Sequence, residues 1–248
     1  MAHALFAADR LALAEAFARW LADAGVERGL IGPREVPRLW DRHLLNCAML
    51  GEAIDQEATV VDLGSGAGLP GLVLAIARPD LRITLVEPLE RRTTFLHEVV
   101  ADLGLTGVEV IRGRAESLHG QRTFDVVTSR ALAPLSRLLG WSMPLVAPQG
   151  SLLAMKGRAA EEEIEAARSQ LRHWGCAEPQ VLVLGSALFS TGLSTRLSTG
   201  LSRGEATPTL STTRAVRVAH ADPGRVALPG RAGGTSTTRT TKKRGRQR

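Results

Sequence analysis

The sequence predicts an α/β protein: a mostly parallel, seven-stranded sheet with helices on both faces, preceded by a small helical lead-in. From Ala58 onward, short apolar runs alternate with helix-length segments, the pattern of a sheet assembled from β–α units. The runs are apolar on both faces, as strands covered by helices on either side have to be. Between the first run and the first helix lies a glycine-rich turn, GSGAGLPG.

The elements follow in order. DRLALAEAFARWLADAG places Leu13, Phe17 and Leu21 at i, i+4 spacing with Trp20 beside them, and Gly25 suits a helix end. After the turn-like Gly32-Pro33, residues 35–54 put Val36, Leu39, Trp40, His43 and Leu44 on one face of a second helix, weakened near Gly51. The first strand is TVVDL (59–63), followed by a helix over 70–77 with proline at its start, where the missing N–H costs nothing. RITLVE (82–87), VEVIRG (108–113), FDVVTSR (124–130), GSLLAMKG (150–157) and QVLVL (180–184) supply the next five strands. Helices are expected over 89–103, 134–146 and 159–174, the last opening on Glu161–Glu163, acids that suit a helix N-terminus. TRAVRVAH (213–220) regains strand character and is expected to pair with QVLVL.

This divides the chain into a helical lead-in (1–57), an α/β domain (58–220) and a basic tail (221–248). Within the domain, 186–212 reads as a flexible insertion: STGL-STRL-STGL is a low-complexity repeat too poor in apolar surface to offset its ordering entropy. The charge divides in the same way. Residues 186–248 carry 12 Lys and Arg against Glu205 and Asp222, whereas the other 185 residues hold 19 basic and 23 acidic groups. The body is therefore mildly acidic, and any nucleic acid it binds must meet a local basic cluster.

Composition excludes other classes. The longest uncharged stretches, 63–77 and 138–155, contain Pro and Gly and do not read as membrane spans. MAHALFAADR lacks the basic start and apolar core of a secretory signal. Two cysteines are too few for a disulfide framework or a zinc site. A soluble, reduced, cytoplasmic, metal-free protein, acting as a monomer, is expected.

The glycine turn admits two ligands. Gly64, Gly66 and Gly68 remove side chains so that a ligand can press on the backbone, and Gly66 to Gly71 even satisfies the spacing of dinucleotide-binding loops. Register favours a different ligand. The strand ends at Leu63, so the third glycine should fall at 69, which is Leu69. Asp62 would repel a pyrophosphate but suits the cationic S-adenosylmethionine. Glu87 closes the second strand where an acid takes ribose hydroxyls, which either ligand would use. Ala115 and Glu116 follow the third strand, positioned to bracket an adenine. A glycine turn that merely permits close packing is the plainest alternative.

RLWDRHLLN (38–46), VVDLGSGAGLPG (60–71), Leu-x-Arg-Arg-x-x-Phe-Leu (89–96), GRAE (113–116), SRA (129–131) and LLAMKG (152–157) occur in this order. Together they resemble the bacterial RsmG family, also called glucose-inhibited division protein B, over roughly residues 10–185. The resemblance implies a Rossmann-like class I methyltransferase fold. It also implies methyl transfer from S-adenosyl-L-methionine to N7 of guanine 527 in 16S ribosomal RNA, free or within a small-subunit assembly particle. It assigns donor contacts to Gly64, Leu69, Ala115, Glu116 and Arg130. The insertion and the long tail depart from the family pattern and inherit no role.

The chemistry agrees with the residues. Guanine N7 offers a free lone pair, so the enzyme mainly aligns its substrates and has no dedicated catalytic residue, with Arg130 the nearest candidate. Cytosine-C5 methylation would require a cysteine after the fourth strand, and SRALAPL has none. Cys47, Cys176 and Trp141 read as packing, and His43 as a capped or core histidine. Arg91, Arg92, Arg112, Arg114, Arg130 and Lys156 all fall at strand ends or just beyond, the edge where α/β sheets bind ligands. Each alone reads as a solvated charge; together they suit RNA phosphates, with Arg91, Arg92, Arg114 and Lys156 the RNA-binding candidates. The competing functions are a dinucleotide-dependent oxidoreductase and a non-catalytic rRNA-binding assembly factor.

Overall fold

Alternating apolar side chains fix which face of each strand is buried where. A computed structural model describes residues 2–186 and 212–226. In strand β1 (Thr59–Leu63), Val60 faces one core, and Val61 and Leu63 face the other. The remaining strands are β2 (Arg82–Glu87), β3 (Val108–Arg112), β4 (Phe124–Arg130), β5 (Val146–Met155), β6 (Gln180–Leu184) and β7 (Thr213–Ala219). They form one sheet in the order β3-β2-β1-β4-β5-β7-β6. Strands β1 to β5 pair in parallel, while β7 runs antiparallel to both β5 and β6.

β7 does pair with QVLVL, as expected, but it also slots between β5 and β6. The dinucleotide-binding sheet has a 3-2-1-4-5-6 order without this inserted strand. The order reverses between β1 and β4, which opens the carboxyl edge of the sheet beside the glycine turn.

The helices are α1 (Ala2–Leu5), α2 (Ala8–Trp20), α3 (Leu45–Ala48), α4 (Gly71–Ala77), α5 (Glu90–Asp102), α6 (Leu135–Ser142), α7 (Ala160–Ala166) and α8 (Arg168–His173). Helices α2 to α5 cover one face, where Phe17, Leu44, Leu72, Ile83 and Phe95 share a single apolar core. Helices α6, α7 and α8 cover the other, around Val127, Leu138, Leu152 and Leu171. The lead-in is thus part of the first core. Burying a side chain such as Phe17 contributes about 2–3 kcal/mol.

Three expected helices differ in detail. Leu21–Gly25 continues α2 as a wide π-helical turn, and the reversal falls at Gly29 (φ +65°) in place of Gly25. Residues 35–54 form no single helix: a 3₁₀ segment (Pro33–Arg38), a π turn (Leu39–Leu44), α3 and a 3₁₀ end (Met49–Ala53) follow one another. Pro37 removes an amide there and breaks the ladder. The helix expected over 159–174 divides into α7 and α8 at Ala167. The expected insertion and basic tail lie outside the described residues, apart from their edges.

Strand β5 starts earlier than expected, at Val146, and its register against β4 shifts between Phe124 and Val126. Gly150 sits in that irregularity. A Cβ there would lie 2.6 Å from the Asp125 carbonyl oxygen and 2.9 Å from that of Phe124. Backbone cannot yield as a flexible side chain does. Gly150→Ala should therefore lower unfolding free energy by about 1–3 kcal/mol, read as a lower urea midpoint with unchanged slope.

Candidate functional site

The turn after β1 is held from below by two buried acids. Asp62, 0% exposed, accepts the Gly71 amide at 3.0 Å, at the first residue of α4. Ser65 donates its hydroxyl to the Asp62 carbonyl at 2.9 Å. Glu87, 1% exposed, accepts the Gly66 amide at 3.0 Å through Oε2 and the Leu89 amide at 3.1 Å through Oε1. Arg92 reaches the same Oε2 at 3.5 Å.

Above these acids the backbone is bare. Gly64, Gly66 and Gly68 take φ values of +68°, +56° and +88°, the left-handed region that residues with a side chain avoid. At Gly64 a Cβ would also come within 2.6 Å of Leu132 Cδ1, so that exposed side chain would have to shift.

Beside Gly64 lies a cavity of about 180 Å³, walled by Leu63, Val86, Pro88, Ala115, Glu116 and Trp141. The expected contacts Gly64, Ala115 and Glu116 therefore come together. Asp62 lies beneath the turn and outside the cavity wall. Leu69 is half-buried against the first core and also lies outside that wall. Trp141, which the sequence suggested was plain packing, packs on the second core and forms part of the wall as well. Leu132, Val86 and Pro88 escaped sequence reasoning, because apolar residues carry no signal of facing a cavity.

A second cavity, about 800 Å³, opens at the ends of β4 and β5. Arg130, Lys156, Glu163 and Asn46 line it, and Leu132 belongs to the walls of both. Arg130 turns toward the lead-in: it donates to His43 Nδ1 at 2.7 Å, to the Arg42 carbonyl at 3.3 Å and to Cys47 Sγ at 3.4 Å. His43 is buried and meets Glu35 through Nε2 at 2.9 Å. Desolvation and the neighbouring Arg130 hold the His43 pKa below the usual histidine range. Burial pushes the Cys47 thiol up to about 11, so no thiolate nucleophile forms there at neutral pH.

The expected RNA-facing cations divide. Arg91 and Arg114 are exposed, their guanidinium groups without a bonding partner among the described residues, and Arg114 stands at the rim of the smaller cavity. Arg92 leans on Glu87, and Arg112 pairs with Glu90 at 3.0 Å. The Lys156 side chain is only 10% exposed; its ammonium donates to Glu163 and to the Ala133 carbonyl, both at 2.7 Å. Among the described residues no cluster of three or more His, Cys, Asp or Glu could hold a metal ion. Nor is any described helix long and apolar enough to cross a membrane.

The family model for rRNA small subunit methyltransferase G (GidB) matches residues 10–187. The chain belongs to that family. With it, the chain belongs to the Rossmann-like methyltransferases. It is 65% identical over 229 residues to a "Ribosomal RNA small subunit methyltransferase G" of Nocardioides, spanning 92% of this chain and 84% of that relative. A protein of the same name from Kineococcus radiotolerans is 62% identical over 71% of this chain and 70% of its own. Among solved structures, a putative transferase from Pyrococcus horikoshii superposes with a TM-score of 0.51 at 11% identity. That alignment covers 71% of this chain and 63% of that one, a likeness of fold alone. In this chain the glycine turn, fastened by its two buried acids, borders the smaller cavity.

Burial raises Asp62 to about 7, well above the ordinary carboxylate range. Folded Asp62 thus binds its proton more tightly than unfolded Asp62. Its contribution to stability is complete below about pH 4 and is lost as pH rises through about 7. Asp62→Asn removes this titration. The stability of the variant relative to the wild type should rise by a few kcal/mol between about pH 4 and 7, measured by urea unfolding at each pH. A constant difference would exclude a buried ionisation.

Proposed function

We propose that this protein transfers the methyl group of S-adenosyl-L-methionine to N7 of guanine 527 in 16S ribosomal RNA. One observation carries the reading: the small apolar cavity beside the glycine turn and the larger cavity at the ends of β4 and β5 share a wall at Leu132. A donor in the first and a purine in the second would meet there.

The residues fit the donor. Bare backbone at Gly64 admits close approach, Ala115 and Trp141 offer apolar surface to an adenine, and Glu116 can accept from its amino group. Glu87 lies buried outside the cavity wall, with two amides and Arg92 on its carboxylate, and ribose hydroxyls would have to take the lone pairs that remain. In this reading Asp62, Gly66, Gly68 and Leu69 support the turn from below and behind. Bound there, the donor supplies an electrophilic methyl group.

The chain's own task is alignment. The N7 lone pair forms the new N–C bond as the S–C bond breaks, the positive charge passes from sulfur to the purine, and no proton is removed first. A thiol nucleophile is not required, in keeping with the inert Cys47. Arg91 and Arg114 would meet RNA phosphates; Arg92 and Lys156 contribute to the site through their ion pairs with Glu87 and Glu163. We take the protein to act as a cytoplasmic monomer, on free rRNA or on an assembling small subunit. The antiparallel β7 between β5 and β6 favours this reading over a dinucleotide-dependent oxidoreductase.

Mass mapping of 16S rRNA from a strain lacking the gene should show guanine 527 unmethylated, and the gene should restore the methyl group. A methyl group that persists would sink the assignment. In calorimetry the methyl donor and its demethylated product should bind and NAD should not. Glu116→Ala should weaken donor binding by about tenfold, the loss of a charge-assisted hydrogen bond. Arg91→Ala should weaken RNA binding and flatten its salt dependence by about one unit of slope; an unchanged slope would place Arg91 outside the interface.

A further inference from the structure

The lead-in contributes a hydrogen-bonded pair, half-exposed Glu35 and buried His43, and His43 meets Arg130 at the end of β4. We propose that His43, backed by Glu35, is a positioning residue that tethers Arg130 to the wall of the larger cavity so that its guanidinium cannot cap guanine N7; this rests on the guanine-N7 reading of the reaction.

The proton arrangement follows from the donors. A guanidinium only donates, so His43 Nδ1, 2.7 Å from Arg130 Nη2, must present its lone pair. The ring proton then sits on Nε2 and donates to Glu35 Oε2 at 2.9 Å. Glu35 is itself held by Arg42, at 2.8 Å and 3.1 Å from its two oxygens. Its hydrogen bond from His43 keeps its carboxyl below the usual range. The carboxylate thus fixes the tautomer that Arg130 needs. The Arg42 carbonyl and Cys47 Sγ also accept from Arg130, at the longer distances of 3.3 Å and 3.4 Å.

The reaction makes such a tether necessary. Arginine commonly engages guanine through O6 and N7 together, and that contact would occupy the lone pair that has to attack. Arg130 ends β4, one residue before Ala131 (φ +52°) and two before Leu132, where the cavities meet. An untethered guanidinium there would reach a purine in the larger cavity. Held on His43, it lines the cavity and leaves N7 open.

Charge gives the pH dependence. The groups facing His43 are Glu35 and Arg42 from the lead-in, Arg130 from β4, and the nearby Cys47 thiol. Protonating His43 replaces the Nδ1 acceptor with a donor and sets two cations against each other, releasing Arg130. Activity should fall as pH drops through the pKa of His43.

The test compares H43A, H43N, R130A and the H43A/R130A double variant in steady-state methylation of 16S rRNA. H43A should lower kcat about 10- to 100-fold without raising KM for RNA, because the freed guanidinium binds guanine unproductively. H43N, whose amide oxygen can take the place of Nδ1, should recover most of the loss and lack the acid limb of the pH profile. His43→Ala should cost nothing further in the R130A background. Wild-type kcat in H43A, or an equal loss in the R130A background, would overturn the tether. Should the wild type methylate another atom, the N7 reading fails by itself. The tether is then judged by NMR titration of His43, whose pKa should rise in R130A and would stay put if the two side chains were uncoupled.

Discussion

Two buried carboxylates holding backbone amides set the shape on which the site depends. Asp62 takes the first amide of α4 and Glu87 takes the amide of Gly66, so strand ends, turn and helix start are fastened at both sides of the glycines. An amide bonded to an ionised carboxylate is held about twice as strongly as by a neutral acceptor, and burial removes the competing water; Asp62, raised to about 7, gains this strength only as it ionises. The turn can then remain bare on its outer surface, because its rigidity comes from underneath. The smaller cavity is the space this arrangement leaves between the ends of β1, β2 and β3.

The same economy joins the lead-in to the sheet. Arginines reach across the boundary to backbone carbonyls: Arg10 to Ala75 and Ile76 at the end of α4, Arg78 to Gly51 and Ile54, Arg217 to Ala53 and Arg130 to Arg42. These carbonyls lie at the end of α4 and along the lead-in's short helical segments, where few intrahelical partners are on offer, although that of Gly51 also accepts the Ile54 amide. The irregular run from Pro33 to Ala53 is stable for this reason although no long helix organises it. It also brings His43 and Cys47 against the end of β4, so the first 57 residues furnish part of the wall around Arg130.

Charge in this molecule has two uses that sequence position does not separate. Lys156, Arg92 and Arg112 sit at strand ends like Arg91 and Arg114, yet each is committed to an acid. Lys156 is the clearest case: with Glu163, which also accepts the Leu135 amide at 2.8 Å, it fastens α7 to the start of α6. A cation so fastened shapes a cavity, whereas an unpaired exposed one is available to phosphate.

The strands, the glycine turn and the acids around it were legible in the chain because their causes are local. β-branched runs, turn glycines and a helix start act within a few residues, and TVVDL, RITLVE, FDVVTSR and QVLVL fall where the pattern places them. The motifs from RLWDRHLLN to LLAMKG likewise carried the family in their order. Only the tertiary structure decided the rest: β7 between β5 and β6, Asp62 below the turn, Lys156 in an ion pair, Leu132 between two cavities, and His43 on Arg130. These follow from which surfaces meet across dozens of residues, and a side chain's partner, unlike its backbone preference, is not encoded in its neighbours.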